Sequence, residues 1–113
     1  MSRYDAHWMA RVFDEYGEKE WERWERSHAD QVKLHVHCHY IRLAVKEGDS
    51  VLEVGAGAGR FTQVLAELGA QIVVADISEG QLNLNRKHQI ACRQLGGIGS
   101  ARSNCRWSSL WQG

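Results

Sequence analysis

Apolar residues recur along this chain at two periods, and the change between them marks out the elements. Tyr4, His7, Trp8, Val12 and Phe13 are spaced to share one face of a helical segment within residues 3–27, which Gly17 interrupts. Beyond it, Trp21 and Trp24 stand three apart, and Glu22 and Arg26 form an i,i+4 pair of opposite charge. Val32, Leu34, Val36, Tyr40, Ile41, Ala44 and Val45 give apolar cover to a helix over 30–47, with Asp30 as its cap and Gly48-Asp49 at its end. The period then shortens. Val51, Leu52 and Val54 read as a buried strand, and Phe61, Val64, Leu65 and Leu68 return to helical spacing until Gly69 stops it. Gln71–Ile77 reads as a second strand ending in an acid, Asp76. Ser78 and Gln81 have the spacing of a capping box for a further helix, with Leu82, Leu84 and Ile90 on it and Gly96-Gly97 stopping it after Leu95. Residues 99–113 carry neither period.

The order helix, helix, strand, helix, strand, helix predicts an α/β fold with parallel strands. It divides the chain into a helical lead-in over 1–49, a β-α-β-α unit over 50–95 and an irregular tail over 96–113. A length of 113 residues allows one domain. Lysine and arginine balance aspartate and glutamate at 14 each, so no bulk charge recruits nucleic acid or a membrane surface. No apolar run approaches a membrane span and no signal core opens the chain, so a cytoplasmic location is expected. Three cysteines without a C-x-x-C argue against a disulfide framework.

The chemistry concentrates in Glu53-Val54-Gly55-Ala56-Gly57-Ala58-Gly59-Arg60. A strand that reverses into a helix within a few residues needs backbone angles that glycine adopts cheaply. Without Cβ atoms the main chain is open to close approach, and N–H groups at the helix start face the ligand. Gly55, Gly57 and Gly59 therefore predict a nucleotide-like ligand. The dinucleotide fingerprint G-x-G-x-x-G needs a glycine at position 60, where this chain has Arg60. Its pattern is instead acid-x-G-x-G-x-G, with Glu53 as the acid and Asp76 at the second strand end, where a ribose-binding carboxylate belongs in such units.

This arrangement closely resembles motif I of the class I S-adenosylmethionine-dependent methyltransferases. The resemblance runs over residues 4–90, with 51–78 carrying nearly all its specificity. It implies a Rossmann-like fold with S-adenosyl-L-methionine as cofactor and methyl transfer to an acceptor, expected to be a small molecule. It implies that Asp76 binds the ribose hydroxyls, that Ile77 packs on adenine, and that Gly55, Gly57 and Gly59 lie under the methionine moiety, with Glu53 and Ala56 as further cofactor-binding residues. Tyr4-Asp5 and Phe13-Asp14-Glu15-Tyr16 resemble a family segment that closes over the site, which adds Tyr16 as a pocket residue. The complete fold has a larger sheet, so the chain is expected to be its N-terminal half. A general base belongs to later strands of that fold, and no catalytic residue is named. An open sheet edge predicts self-association.

Other features read differently. His35 and His39 lie one helical turn apart, but no further ligand cluster accompanies them, and no metal site is expected. From Gly80 onward there is no acidic residue, while Arg86, Lys87, Arg93, Arg102 and Arg106 remain. Arginine with tryptophan can serve nucleic-acid stacking. A disordered tail, or the truncated or out-of-frame end of a longer gene, accounts better for the lost periodicity, and no nucleic-acid partner is expected. Two other functions stay open: a non-catalytic truncated product that at most binds the cofactor, and a fragment of an NAD-binding oxidoreductase, which Arg60 disfavours.

Overall fold

In the computed structural model the described residues are 5–94 and 105–110. Tyr4, the Leu95 to Gly97 helix stop and the remainder of the tail lie outside them. The chain runs α1 (Ala6–Tyr16), α2 (Lys19–Glu22), a 3-10 turn (Arg23–Glu25), α3 (His28–Ala44), β1 (Ser50–Val54), α4 (Arg60–Glu67), β2 (Gln71–Asp76), α5 (Glu79–Gln94) and β3 (Cys105–Ser109). The sheet is parallel, in the order β1-β2-β3. It is a partial Rossmann-like α/β fold, as the pattern of strands and helices predicted.

Strand parity decides which residues are buried. Val51, Ile72, Val74, Cys105 and Trp107 turn to the face carrying α4 and α5, where Leu65, Ala70 and Leu82 complete the core. Leu52, Val54 and Val73 point the other way and are 65%, 63% and 41% exposed. Among the described residues one face is thus covered and the other bare.

β3 corrects the reading of 96–113 as irregular throughout. Cys105-Arg106-Trp107-Ser108-Ser109 pairs with β2, with Cys105 opposite Ile72 and Ser109 opposite Asp76. Little in its own side chains announces a strand, because Trp107 is the one strand-favouring residue beside two serines, an arginine and a cysteine. The open edge of β2 supplies the missing reason: a row of unpaired N–H and C=O groups takes up whatever chain can lie beside it.

Three helix expectations also change. Ser27, not Asp30, caps α3: its Oγ accepts from the Asp30 N–H at 3.1 Å and donates to the Asp30 carboxylate at 2.9 Å. Asp30 is the third residue of that helix, the reciprocal partner of the cap. The apolar residues of α3 divide between two faces. Leu34, Ile41 and Val45 turn inward, while Val32, Val36, Tyr40 and Ala44 are exposed. On α5, Ile90 is exposed, and the buried stripe is Gln81, Leu82, Asn85 and Gln89.

Candidate functional site

The glycine turn sits where β1 meets α4, and its glycines take the backbone that the motif demands. Gly57 has φ +59° and Gly59 has φ +104°, both in the region closed to most side chains. Gly59 also has no room. An added Cβ would come within 2.6 Å of Gln89 Nε2 and 2.9 Å of Asn85 Cγ. Those two amides reach up from α5 and donate to the turn's carbonyls, Asn85 to Gly57 at 3.2 Å and Gln89 to Gly59 at 3.1 Å. Buried carbonyls need donors: Asn85 supplies one to Gly57, and Gln89 adds a second to Gly59, whose carbonyl also accepts from the Gln63 N–H at 3.0 Å. This explains why α5 buries amides where a hydrophobic stripe was expected.

The turn's N–H groups are largely committed within the chain. Gly55 and Ala56 both donate to the Ala75 carbonyl, at 2.8 and 3.3 Å, which locks the turn to the end of β2. Gly57 donates to Asp76 Oδ2 at 2.9 Å, and Ser78 donates to Asp76 Oδ1 at the same distance. Gly55, Ala56 and Gly57 precede α4, so the expectation that N–H groups at the helix start face a ligand does not concern them. Asp76 is buried between the two elements it joins. Each of its oxygens keeps a further lone pair, so the carboxylate can still accept from a ligand hydroxyl. Ile77 follows it half-buried.

Glu53 is the penultimate residue of β1. Its carboxylate accepts from the Thr62 hydroxyl. Burial pushes its pKa up to about 7; the Thr62 hydrogen bond opposes this and the Asp76 charge adds to it. Thr62 in turn accepts from Asn85 Nδ2 at 2.9 Å, and Asn85 Oδ1 accepts from Trp107 Nε1 at 3.0 Å. One chain of hydrogen bonds therefore runs from Glu53 through Thr62 and Asn85 to β3.

The lead-in helices lie against this site, but not by the residue expected. Tyr16 is turned away: its hydroxyl accepts from Arg26 at 2.8 Å, and it lines a separate depression with Arg23, Trp24, Arg26, Asp30 and Lys33. The contact near Asp76 is made by Asp14, which accepts from the Ser78 hydroxyl and from the Gly80 N–H at 2.9 Å. A carboxylate at the N-terminus of α5 is favourable there. Gln81, expected to close the capping box, instead donates its side-chain amide to the carbonyls of Phe13 and Gly17 at 2.8 and 3.0 Å, while Ser78 Oγ accepts from the Gln81 N–H at 3.1 Å. Over the turn itself lies Glu20. A Cβ added to Gly57 would meet Glu20 Cγ at 3.0 Å. Arg60 fastens the same segment: Nε donates to the Trp21 carbonyl at 3.2 Å, the guanidinium lies 4.2 Å from the Trp21 ring, and Glu25 pairs with it. Trp21 also stacks on His88 at 3.9 Å.

The cavity between this segment and the turn holds about 60 Å³ and is lined by Glu20, Arg23, Trp24, Gly55, Ala56, Gly59 and Phe61 among others. Sites for drug-sized ligands hold about 300 Å³ or more. The donor set suits a nucleoside with a cationic tail, and the 19–25 segment must rise for one to lie on the turn. A depression of about 390 Å³ lies elsewhere, on the exposed sheet face around Leu52, Val73 and Arg106. His37 packs between Trp24 and Phe61, with ring centroids 5.6 and 5.5 Å away, and bonds the Lys33 carbonyl. Among the described residues no three His, Cys, Asp or Glu side chains group to hold a metal ion, and no helix is long and apolar enough to cross a membrane.

Sequence reasoning did not find Asn85, Gln89, Thr62, Asp14 or Glu20 as site residues. A signal existed for α5: Gln81, Asn85 and Gln89 recur every four residues, which puts three amides on one helical face. For Glu20 there was none, since it sits in a run of charges that reads as a solvated surface.

Comparison with known proteins bears on the same stretch. Residues 52–100 match the family described as "Methyltransferase domain". Ribosomal RNA small subunit methyltransferase A of Caulobacter vibrioides is 41% identical over 66 residues, 45% of this chain and 26% of that protein. Among solved structures, a SAM dependent methyltransferase from Aquifex aeolicus superposes with a TM-score of 0.49 at 20% identity, over 96% of this chain and 48% of that one. A Haemonchus contortus phosphoethanolamine N-methyltransferase in complex with phosphoethanolamine and S-adenosylhomocysteine gives 0.46 at 19% identity, over 96% and 23%. The chain spans about a quarter of the length of the curated relative it matches.

Proposed function

We propose, from the match of residues 52–100 to the methyltransferase-domain family and the resemblance of the turn to class I motif I, that this chain binds S-adenosylmethionine across the Gly55–Gly59 turn. The observation that carries the reading is the locked geometry of the turn. Gly57 and Gly59 hold positive φ, Asn85 and Gln89 brace their carbonyls from below, and Glu53 and Asp76 stand at the two strand ends beside it. In this reading Asp76 accepts from the ribose hydroxyls, Ile77 packs on adenine, and Glu53, Gly55, Ala56, Gly57 and Gly59 hold the methionine end. Glu53 suits a cationic amine, since a positive neighbour favours the ionised form that burial disfavours.

When bound, the cofactor supplies an already activated methyl group, so the protein's task is alignment. The residues here fix and orient; none is placed as a general base. Methyl transfer by the whole protein to a small-molecule acceptor is part of the proposal. The Caulobacter relative is named for ribosomal RNA, but its similarity covers 26% of that protein, and this chain's balanced charge offers RNA no general attraction.

Calorimetric titration with S-adenosylhomocysteine tests the reading, with NADH as the control. Saturable binding of the first and none of the second is expected. Binding of NADH alone would support a dinucleotide site, and binding of neither would leave the motif without its ligand.

A further inference from the structure

Glu20 is an acid that the cofactor reading does not use, and its position is unlike that of its neighbours. Glu18, Glu22 and Glu25 are exposed, whereas the Glu20 side chain is 16% exposed and lies on Gly57. Its Oε1 stands 3.4 Å from Arg23, and its Oε2 is buried with no hydrogen-bond partner among the described residues. Burial holds its carboxyl above the ordinary range; the Arg23 charge opposes that and the Asp76 charge reinforces it. A buried carboxylate oxygen without a donor costs free energy, and a positive group brought beside it would recover that cost.

The geometry fixes where such a group would arrive. Because Glu20 Cγ lies directly over Gly57, anything laid on the turn enters between the two. The segment that carries Glu20 is fastened beside the turn through Trp21, which meets Arg60 and His88. We propose that Glu20 forms the roof of the cofactor site and selects the positively charged sulfonium of S-adenosylmethionine over the neutral thioether of S-adenosylhomocysteine. This deepens the cofactor reading above and rests on it. The two ligands share their adenosine, ammonium and carboxylate groups and differ in charge only at sulfur. A buried carboxylate near that atom favours the charged ligand and leaves the spent product without the attraction.

The test is calorimetric titration of the whole chain with both ligands separately, for the native sequence, Glu20→Gln, Glu20→Asp and the exposed control Glu22→Gln. The native chain is expected to bind S-adenosylmethionine the more tightly. Glu20→Gln should lose about tenfold for S-adenosylmethionine and less than about twofold for S-adenosylhomocysteine. Glu20→Asp should keep the preference, and Glu22→Gln should behave as the native chain. Equal losses for both ligands would make Glu20 a packing residue and overturn the proposal. Tighter binding of both by Glu20→Gln would make Glu20 an obstruction on the turn and overturn it equally. Binding of neither ligand by the native chain would overturn the cofactor reading along with it, an outcome distinct from native binding with no change in Glu20→Gln.

Discussion

The carboxylate of Asp76 accepts a hydrogen bond from the main-chain N–H of Gly57 at 2.9 Å, joining the end of β2 to the centre of the glycine turn. The acid expected to meet a ribose thus also holds the loop that would lie under the rest of the cofactor. In Asp76→Asn one of the two backbone donors, Gly57 or Ser78, would face an amide NH2 group instead of an acceptor. A loss of about 2 kcal/mol is expected in urea denaturation, together with at least tenfold weaker binding of S-adenosylhomocysteine. Native stability in the variant would mean that the turn is held by its Ala75 contacts alone.

Asn85 serves three groups, the Gly57 carbonyl, the Thr62 hydroxyl and the Trp107 indole. Asn85→Leu keeps the volume and removes all three partners. About 3 kcal/mol of stability should disappear, because buried polar groups are left unpaired. Ile90→Ala on the exposed side of the same helix should stay within about 0.5 kcal/mol of the native chain. Denaturant midpoints of the two variants would expose a reversed order, as a hydrophobic α5 stripe would require.

Two glycines with similar backbones should respond differently to alanine. Gly48 has φ +84° and nothing within 4 Å of an added Cβ, so Gly48→Ala carries only conformational strain, about 1 kcal/mol. Gly59 has φ +104° and meets Gln89 and Asn85, whose amides cannot swing aside without releasing the carbonyls they hold. Gly59→Ala should cost about 2–4 kcal/mol. Equal thermal shifts for the two would mean that the α5 amides do not brace the turn.

Glu53 gives stability a pH dependence of defined sign. Its folded pKa of about 7 lies above its ordinary 4.5, so between those values the folded chain holds a proton that the unfolded chain has released. Raising the pH through that window removes the proton and lowers stability. The full shift sets a ceiling of about 3 kcal/mol, and partial solvent access reduces the expected effect to about 1–2 kcal/mol. Glu20, also raised, contributes with the same sign. Melting temperature should therefore fall between pH 5 and pH 8 in the window set by these groups, and Glu53→Gln should flatten the profile. A profile that rises with pH, or is unchanged in Glu53→Gln, would contradict the assignment.

What the sequence by itself determined are the features whose physics is local. Glycine spacing dictates a turn, since few other residues reach the backbone of Gly57 and Gly59, and the apolar runs of β1 and β2 dictate strands whose ends carry Glu53 and Asp76. The tertiary structure decided everything that depends on a partner distant in sequence. β3 forms because β2 offers it an edge, not because Cys105–Ser109 prefers extension. Asn85 and Gln89 are buried because carbonyls of the turn lie within reach of their amides, and a polar residue's own identity does not say whether such a partner exists. Glu20 is buried because the 19–25 segment folds across the turn, drawn by Trp21 and held by Arg60. Tyr16 and Asp14 were told apart for the same reason: both belong to one short run, and only the packing of α1 against α5 chose which of them meets Ser78.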